Sequence, residues 1–279
     1  MDGGSCLLAD GRSFQVAATR AARVRFRDGA TDLVEAPPLE IRALSQDQMA
    51  GLYRDRLERM GSAVPDELPR IPRPVDFLRE CEEWEKIRRT VDQASPGDLV
   101  LVDGSLHGGA FVPAEFIRRV HRTAVERGVR LAGVVKASTL FWGRNAPLVG
   151  LLKRRGDREL GRVAWTARIS TDPAFRRLYV GEIFVAHLAA TAAHAFRVDV
   201  AREPGNAEEV LARLAGCADD AAFVGYPYPL ARAHRAARVS GYAVADLRRA
   251  FRDALGRRGM SEEDIETLFQ DFHEVLNRS

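Results

Sequence analysis

An apolar run at residues 99–106, Leu-Val-Leu-Val-Asp-Gly-Ser-Leu, ends in an acidic side chain. Four consecutive aliphatic residues predict a strand that is covered on both faces. Asp103 follows them, so a rigid element holds its carboxylate while solvent still reaches it, as a divalent-metal ligand requires. Gly104 permits close approach of a backbone or a phosphate. An ordinary strand ending in an Asp-Gly turn has the same local sequence, so other residues must decide between the two interpretations.

Further side chains capable of chemistry follow other predicted strands. The predicted strand at 129–135 ends at Lys136, and the predicted strand at 221–224 leads to Tyr226, with His234 in the helix that comes next. In open α/β sheets the carboxyl ends of the strands form the active site. Lys136 could there stabilise negative charge that develops on a phosphate. The structural alternatives are a solvated lysine, a rigid packing turn and a histidine at the edge of the core.

Glu115 is the acid that the pattern places nearest to Asp103. It lies in the first turn of a helix predicted over 114–127, and the end of that helix must lead into the strand at 129–135. The start of the helix should therefore return to the edge that carries Asp103. Two carboxylates and an imidazole at one point suit Mg²⁺ or Mn²⁺. The helix dipole alone also favours a glutamate in a first turn.

The composition indicates an ordinary globular enzyme. The chain has 279 residues, of which 46% are hydrophobic and 29% charged, with a net charge of +3 that is compatible with nucleic acid. No run approaches the roughly 18 apolar residues that span a bilayer, and the first residues do not resemble a signal peptide. Three scattered cysteines without C-x-x-C spacing argue against a disulfide framework and a zinc site, so we expect a cytoplasmic protein.

The order of the elements predicts three parts. Residues 1–75 form an amino-terminal β/helical extension with a proline-rich linker, and residues 246–279 form carboxyl-terminal helices. Strands and helices alternate through residues 76–245, which is typical of an α/β domain with a mixed central sheet. The patterns predict helices at 46–61, 75–93, 114–127, 144–155, 206–215, 243–256 and 261–277, and strands at 99–102, 129–135, 161–170, 178–188 and 221–224.

Three motifs in this order resemble the NurA family of DNA-end-processing nucleases. They are V-D-G-S-L at 102–106, G-V-V-K-A-S at 133–138 and G-Y-P-Y-P-L-A-R-A-H at 225–234. The last is the most specific, because a histidine follows the tyrosine by eight residues (226 to 234). The resemblance implies an α/β, RNase H-like (PIWI-like) fold for the core, a mixed central sheet flanked by helices.

The resemblance also implies an activity. It predicts a Mn²⁺-dependent deoxyribonuclease, with Mg²⁺ as the alternative ion, that acts as a 5′–3′ exonuclease and single-strand endonuclease on DNA ends in recombinational double-strand break repair. The implied assembly is a homodimer docked on a hexameric HerA-type translocase ATPase. Asp103 matches the family's first metal-binding aspartate, Tyr226 and His234 its last active-site pair, and Lys136 the lysine after the middle strand. The expected catalytic residues are these four, and the expected metal ligands are Asp103, Glu115 and His234.

The sequence departs from the family pattern in one respect. A second acid between the first and last motifs is not evident, and Asp157, Glu182 or neither could supply it. This leaves an alternative function, a catalytically weak NurA-like DNA-binding or ATPase-docking subunit. A phosphatase or other phosphotransfer enzyme is disfavoured because no second aspartate follows Asp103 two residues later. The last two helices either dock a partner or pack on their own sheet.

Overall fold

Eleven strands and eight helices lie in the part of the chain that the computed structural model describes, residues 1–11, 14–66, 71, 73–109, 111–169, 181–202 and 207–269. The strands are β1 Asp2–Gly11, β2 Phe14–Arg27, β3 Ala30–Glu35, β4 Glu40–Ser45, β5 Leu99–Asp103, β6 Arg130–Val135, β7 Phe141–Trp142, β8 Ala146–Pro147, β9 Trp165–Ile169, β10 Gly181–His187 and β11 Phe196–Ala201. The helices are α1 Gln46–Arg59, α2 Pro74–Gln93, α3 Ala114–Glu126, α4 Leu148–Glu159, α5 Ala207–Ala215, α6 Tyr228–Ala237, α7 Gly241–Arg257 and α8 Glu262–Phe269.

A five-stranded mixed sheet carries the predicted strand ends. Its order is β5-β6-β11-β10-β9, with β5 parallel to β6 and the other neighbours antiparallel. The parallel pair follows from the βαβ unit in which α3 connects β5 to β6. Parallel neighbours end at the same edge, so Asp103 and Lys136 leave the sheet side by side. The prediction of an α/β fold with a mixed sheet is confirmed.

A second, antiparallel sheet is formed by the first strands of the chain. The 14-residue strand β2 pairs with β1 on one edge and with β3 and β4 on the other. The Met1 nitrogen donates to Leu101 O at 3.0 Å, and the Asp103 amide donates to Met1 O at 3.1 Å. These two bonds set the start of β1 beside the end of β5. Sequence patterns did not predict β1, and β11 was missed as well.

Helices cover both faces of the mixed sheet. On one face α2 and α3 pack on β5 with apolar side chains that include Phe77, Leu78, Ile87, Phe116 and Val120. On the other face α5 and α6 pack on β6, β10 and β11 with side chains that include Leu211, Leu214, Leu230, Val134 and Phe184. Because both faces are filled by apolar groups, polar side chains gather where the strands end.

The predicted strand at 221–224 is wrong. These residues form turns, in which the Phe223 amide donates to Asp220 O at 2.9 Å and the Ala222 amide to Asp220 Oδ1 at 3.0 Å. The aspartate side chain satisfies a local amide that a strand would offer to a neighbour. Tyr226 therefore follows a turn and not a strand.

The remaining elements agree with the patterns apart from their ends. Helix α4 starts later than the predicted 144, because residues 141–147 form the β7-β8 hairpin. The predicted positions 170, 178–180, 206 and 270–277 lie outside the described residues, and the division into three parts stays a prediction. Among the described helices, none combines the length and apolarity needed to cross a membrane.

Candidate active site and metal site

Asp103 and Lys136 form an ion pair at the shared end of β5 and β6. Lys136 Nζ lies 2.7 Å from Asp103 Oδ2, and the aspartate side chain is 2% exposed whereas the lysine side chain is 45% exposed. The parallel pairing of the two strands explains this contact. The lysine therefore reaches the buried carboxylate from the solvent side, where a charged substrate would approach.

Tyr226 is buried against the same pair. Its ring centroid lies 5.7 Å from Lys136 Nζ. Burial above all, and next the negative charge of Asp103, raise the pKa of Tyr226 far above its ordinary value. The hydroxyl thus stays protonated at neutral pH and can act as a hydrogen-bond donor but not as a phenolate.

Asp2 connects Asp103 with His234. At the start of β1, Asp2 Oδ2 lies 2.6 Å from His234 Nδ1, with the aspartate side chain 9% and the histidine side chain 52% exposed. Asp2, Asp103 and His234 each offer one atom that could bind a metal, and these three atoms all lie within 4.8 Å of one another. Residues 232 positions apart in the chain therefore share one small volume.

Two glycines allow helices to approach β1 from opposite sides. A Cβ atom on Gly3 would lie 3.1 Å from Glu83 Oε2 of α2, and one on Gly4 would lie 1.9 Å from Ala237 O at the end of α6. Consecutive strand residues face opposite sides, so Asp2 shares the side of Gly4 and faces α6. The absence of side chains at these two positions lets an acid from α2 and an imidazole from α6 reach the start of β1.

Glu83 adds a third buried carboxyl group. Burial, followed by the charge of Asp2, raises the pKa of Glu83 to about 8, against the opposing effect of Arg79. The pKa of Asp103 is also raised, first by burial and then by Asp2, while Lys136 and Tyr226 act in the opposite direction. Arg79 lies 3.4 Å from Glu83 and Lys136 lies 2.7 Å from Asp103, yet burial and mutual repulsion outweigh these ion pairs.

This donor set fits a divalent cation. Two carboxylates and an imidazole nitrogen are ligands that Mn²⁺ accepts, and carboxylates are the ligands that Mg²⁺ prefers. A bound cation would also offset the repulsion among the Asp2, Glu83 and Asp103 carboxyl groups. The geometry therefore makes Asp2, Asp103 and His234 a candidate metal site, with Glu83 beside it.

The structure does not bring Glu115 into this group. Its side chain is 52% exposed and pairs with Arg118 at 3.1 Å. In α3 the buried side chains are Phe116, Ile117, Val120 and Ala124, so the apolar stripe directs Glu115 to the opposite, solvated side. The structure therefore does not place Glu115 with Asp103, because the apolar stripe of α3 directs its side chain to solvent.

The two other acids considered from sequence also lie elsewhere. Asp157 pairs with Lys153 at 2.6 Å on α4, and its side chain is half exposed. Glu182 on β10 pairs with Arg168 of the neighbouring β9. Surface ion pairs of this kind explain both residues without a metal.

Sequence analysis missed Asp2 and Glu83, which the local sequence indicates only weakly. Asp2-Gly3 repeats the Asp103-Gly104 dipeptide, but too few residues precede it to show an apolar run. Glu83 lies within the apolar stripe of α2, where an acid is out of place. An acid on an apolar helical face is the signal that would have identified Glu83.

Two further buried acids hold the loop after Asp103. Glu80 Oε1 accepts bonds from the amides of Gly109, Phe111 and Val112 at 2.9, 3.2 and 3.1 Å. Asp199 Oδ2 accepts from Ser105 Oγ at 2.8 Å and the Leu106 amide at 3.2 Å, and both oxygens of Asp199 bond Arg197. These contacts fix the backbone on which Asp103 sits.

The fold is similar to that of a solved nuclease structure. The NurA nuclease from Sulfolobus solfataricus superposes with a TM-score of 0.58 at 16% sequence identity, covering 94% of this chain and 84% of that chain. The chain has the fold of the NurA nuclease. The catalytic domain of human endonuclease V gives a TM-score of 0.40 at 14% identity over 91% and 83% of the two chains. No family model and no curated protein matches this chain.

The predicted resemblance to NurA is thus confirmed for the fold, as is the RNase H-like class with a mixed sheet flanked by helices. The roles of the individual site residues do not follow from the likeness, since identity is low. They rest on the geometry of the site and belong to the proposal below.

Proposed function

We propose that this protein is a divalent-metal-dependent nuclease that hydrolyses phosphodiester bonds of DNA. The observation that carries the proposal is the convergence of the Asp2, Glu83 and Asp103 carboxyl groups with His234 at one end of β5, on a fold like that of NurA. DNA is a polyanion, and a cation bound in this acidic cluster would reduce the repulsion between the two. The substrate class therefore agrees with a metal at this site.

Asp2, Asp103 and His234 would hold the ion, with Glu83 as a further acid beside them. A divalent cation supplies a Lewis acid for the phosphate and lowers the pKa of water. The burial of Asp2 and Asp103 strengthens their electrostatic attraction for such an ion.

Lys136 has the position of a group that stabilises the scissile phosphate. Its side chain is almost half exposed while its ammonium pairs with Asp103. A phosphate that enters would meet this ammonium first, and the charge that develops on the phosphate oxygens would be stabilised by it.

His234 and Tyr226 are suited to proton handling and positioning. The bond between Asp2 and His234 Nδ1 orients the ring and leaves Nε2 free either to bind the ion or, where the two aspartates alone hold it, to exchange a proton with a leaving group or water. The Tyr226 hydroxyl, which stays protonated, donates a hydrogen bond to the carboxylate or the phosphate.

The finer features come from the resemblance. We propose Mn²⁺ with Mg²⁺ as the alternative, DNA ends as substrate with 5′–3′ exonuclease and single-strand endonuclease activity, a role in double-strand break repair, and a cytoplasmic homodimer with a HerA-type ATPase. The described structure supports the metal site and the fold on which these features depend.

The test is cleavage of labelled linear single- and double-stranded DNA with Mn²⁺, Mg²⁺ or EDTA. Asp103→Asn should reduce metal-dependent cleavage by at least about a hundredfold. Asp157→Asn is the matched control, because it removes the same charge from a surface ion pair, and it should retain wild-type activity. Full activity of folded Asp103→Asn would refute the site.

A folded wild-type protein that does not cleave in any metal would favour the docking-subunit alternative. The same assay is then repeated with a HerA-type ATPase added. Cleavage that appears only with the ATPase retains the nuclease proposal, whereas DNA binding without cleavage in its presence replaces it with the alternative.

A further inference from the structure

Two neighbouring aromatic side chains lie in solvent on the β7-β8 hairpin. Phe141 is 59% exposed and Trp142 is 67% exposed. Among the phenylalanine and tryptophan side chains that the structure describes, no other is exposed to this degree. Aromatic side chains stabilise a fold chiefly when they are buried, so these two contribute little to the core. Adjacent exposed rings, unlike scattered apolar residues, are typical of a binding surface.

The hairpin presents the two rings on opposite faces. Phe141 pairs with Pro147 and Trp142 pairs with Ala146, and residues 143–145 form the loop between the strands. Successive side chains of a strand point to opposite faces, and the residues that pair with the two rings are smaller than they are. A protein partner would require a continuous apolar patch on one face. A narrow ribbon with one ring on each face is better suited to stacking against separate planar groups.

The hairpin lies close to the candidate active site. Five residues of chain lead from Lys136 to Phe141, so their Cα atoms are at most about 18 Å apart. Within this segment the Leu140 amide donates to Ser138 Oγ at 3.2 Å, and the Leu148 amide donates to Leu140 O at 2.9 Å. These bonds hold the base of the hairpin at the end of β6. A stacked DNA strand advances about 3.4 Å per nucleotide, so roughly five nucleotides would cover the distance.

The charge around the rings is positive. Arg144 lies exposed in the loop of the hairpin, and no aspartate or glutamate occurs between Lys136 and Asp157. Arg144 forms no ion pair with any acid in the described part of the chain. Its guanidinium is therefore available to a phosphate. Exposed aromatic rings beside unpaired positive charge are the combination that binds single-stranded nucleic acid.

We propose that Phe141 and Trp142 stack on unpaired bases of the DNA strand that is cut, within about five nucleotides of the scissile phosphate, while Arg144 binds the backbone beside them. The inference rests on the proposed nuclease function and adds a binding subsite to it. Every base has a planar face, so stacking of this kind tolerates any sequence. Bases inside a duplex already stack on their neighbours, and the hairpin therefore selects single-stranded DNA.

The first test compares DNA binding to two labelled single strands of equal length in EDTA, where metal-dependent cleavage does not occur. One strand carries bases, and the other is abasic throughout and has the same phosphate charge. Phe141→Ala and Trp142→Ala should each weaken binding to the first strand about tenfold and change binding to the abasic strand by less than about twofold. Arg144→Ala should weaken binding to both strands alike. Tyr242→Ala, which removes an aromatic ring that is 88% exposed on α7, is the matched control and should change neither.

Tryptophan fluorescence reports the contact directly. Trp142 is the exposed member of the three tryptophans, since Trp84 is 3% exposed and Trp165 is half-buried. The base-bearing strand should quench the emission of the wild-type protein, and the abasic strand should not. Trp142→Phe should retain the affinity, because phenylalanine also stacks, and should lose most of the quenching.

Two binding results would overturn the proposal. They are equal affinity of the wild-type protein for the two strands, and unchanged affinity of Trp142→Ala for the base-bearing strand. If Trp142→Ala instead lowers the mass of the protein in light scattering and leaves DNA affinity unchanged, the rings belong to an interface between copies of this chain.

Kinetics with Mn²⁺ separate this proposal from the proposed nuclease function. Trp142→Ala should raise KM for single-stranded DNA about tenfold and change kcat by less than about twofold, because the stacking is the same in the ground state and the transition state. Cleavage that depends on Asp103 but not on Phe141 or Trp142 would refute the stacking and retain the nuclease. Base-dependent binding through the two rings without any cleavage would retain the stacking and refute the nuclease.

Discussion

Two groups of buried acids lie near the end of β5 in space, and they differ in the groups that surround them. Asp199 and Glu80 accept hydrogen bonds from backbone amides, a hydroxyl and the Arg197 guanidinium. Asp2, Glu83 and Asp103 face one another, and burial together with mutual repulsion raises the pKa values of Glu83 and Asp103. The second group also has cationic partners, Arg79 at 3.4 Å from Glu83 and Lys136 at 2.7 Å from Asp103, but burial and mutual repulsion outweigh them.

The comparison separates structural acids from functional ones. A buried acid alone is a poor marker of a site, because Asp199 and Glu80 are buried yet serve to hold a loop. Mutual repulsion among buried acids is the better marker, since it persists in a folded protein chiefly where function requires the acids to lie together. This difference leads us to expect changes in the free energy of unfolding that decrease in the order given below.

The largest effect is expected where charge is balanced. Asp199→Asn removes the negative charge that faces buried Arg197, and the free energy of unfolding should fall by about 3–5 kcal/mol. Urea denaturation measures the change, and Asp157→Asn, in an exposed pair, should change it by less than about 0.5 kcal/mol. A stable Asp199→Asn protein would remove the distinction between the two groups.

A divalent cation should stabilise the unbalanced group. At a concentration one hundred times its Kd, Mn²⁺ should add about 2.7 kcal/mol to the free energy of unfolding, measured as a rise in Tm over the same protein in EDTA. Asp2→Asn and Asp103→Asn should lose most of this rise, and Glu115→Gln should keep it. An equal rise in all of these proteins would place the ion elsewhere.

Removing an unbalanced charge should stabilise the metal-free protein. Glu83→Gln in EDTA should raise the free energy of unfolding by on the order of 2 kcal/mol at pH 6, because the buried carboxyl group no longer has to be protonated or charged. The same variant should lower nuclease activity, so stability and activity would change in opposite directions. A destabilised Glu83→Gln protein would show that the Glu83 carboxyl group is well satisfied in the native state.

The smallest effect, counted per pH unit, is a dependence of stability on pH. The folded-state pKa of Glu83, about 8, exceeds the ordinary value of 4.5, so the native state binds the extra proton between these two values. The free energy of unfolding in EDTA should therefore fall as pH rises from 5 to 8, by up to about 1.4 kcal/mol per unit for this group. Glu82, with a pKa raised to about 7 chiefly by burial, adds to the fall below pH 7. Glu83→Gln should flatten the slope and Glu115→Gln should not.

Sequence analysis named four residues of the candidate site and missed two, Asp2 and Glu83. Asp103 and Lys136 follow from apolar runs that end in a charged residue, and the eight-residue spacing of Tyr226 and His234 follows from a motif. Glu115 was predicted from the position of a helix end, which does not specify the direction of a side chain. The turn at 221–224 was predicted as a strand because a short apolar run does not reveal the capping role of Asp220.

The sequence by itself therefore determined the mixed α/β class, the strand that ends at Asp103 and the lysine on the neighbouring strand, and the resemblance to a family added Tyr226 and His234. Only the tertiary structure decided which acids accompany them. Asp2 meets His234 across 232 residues, and Glu83 reaches the site from the buried face of a helix. The physical reason is that the cluster depends on the pairing of β1 with β5 and on helix approach across Gly3 and Gly4, and contacts between distant segments leave no periodicity in the local sequence.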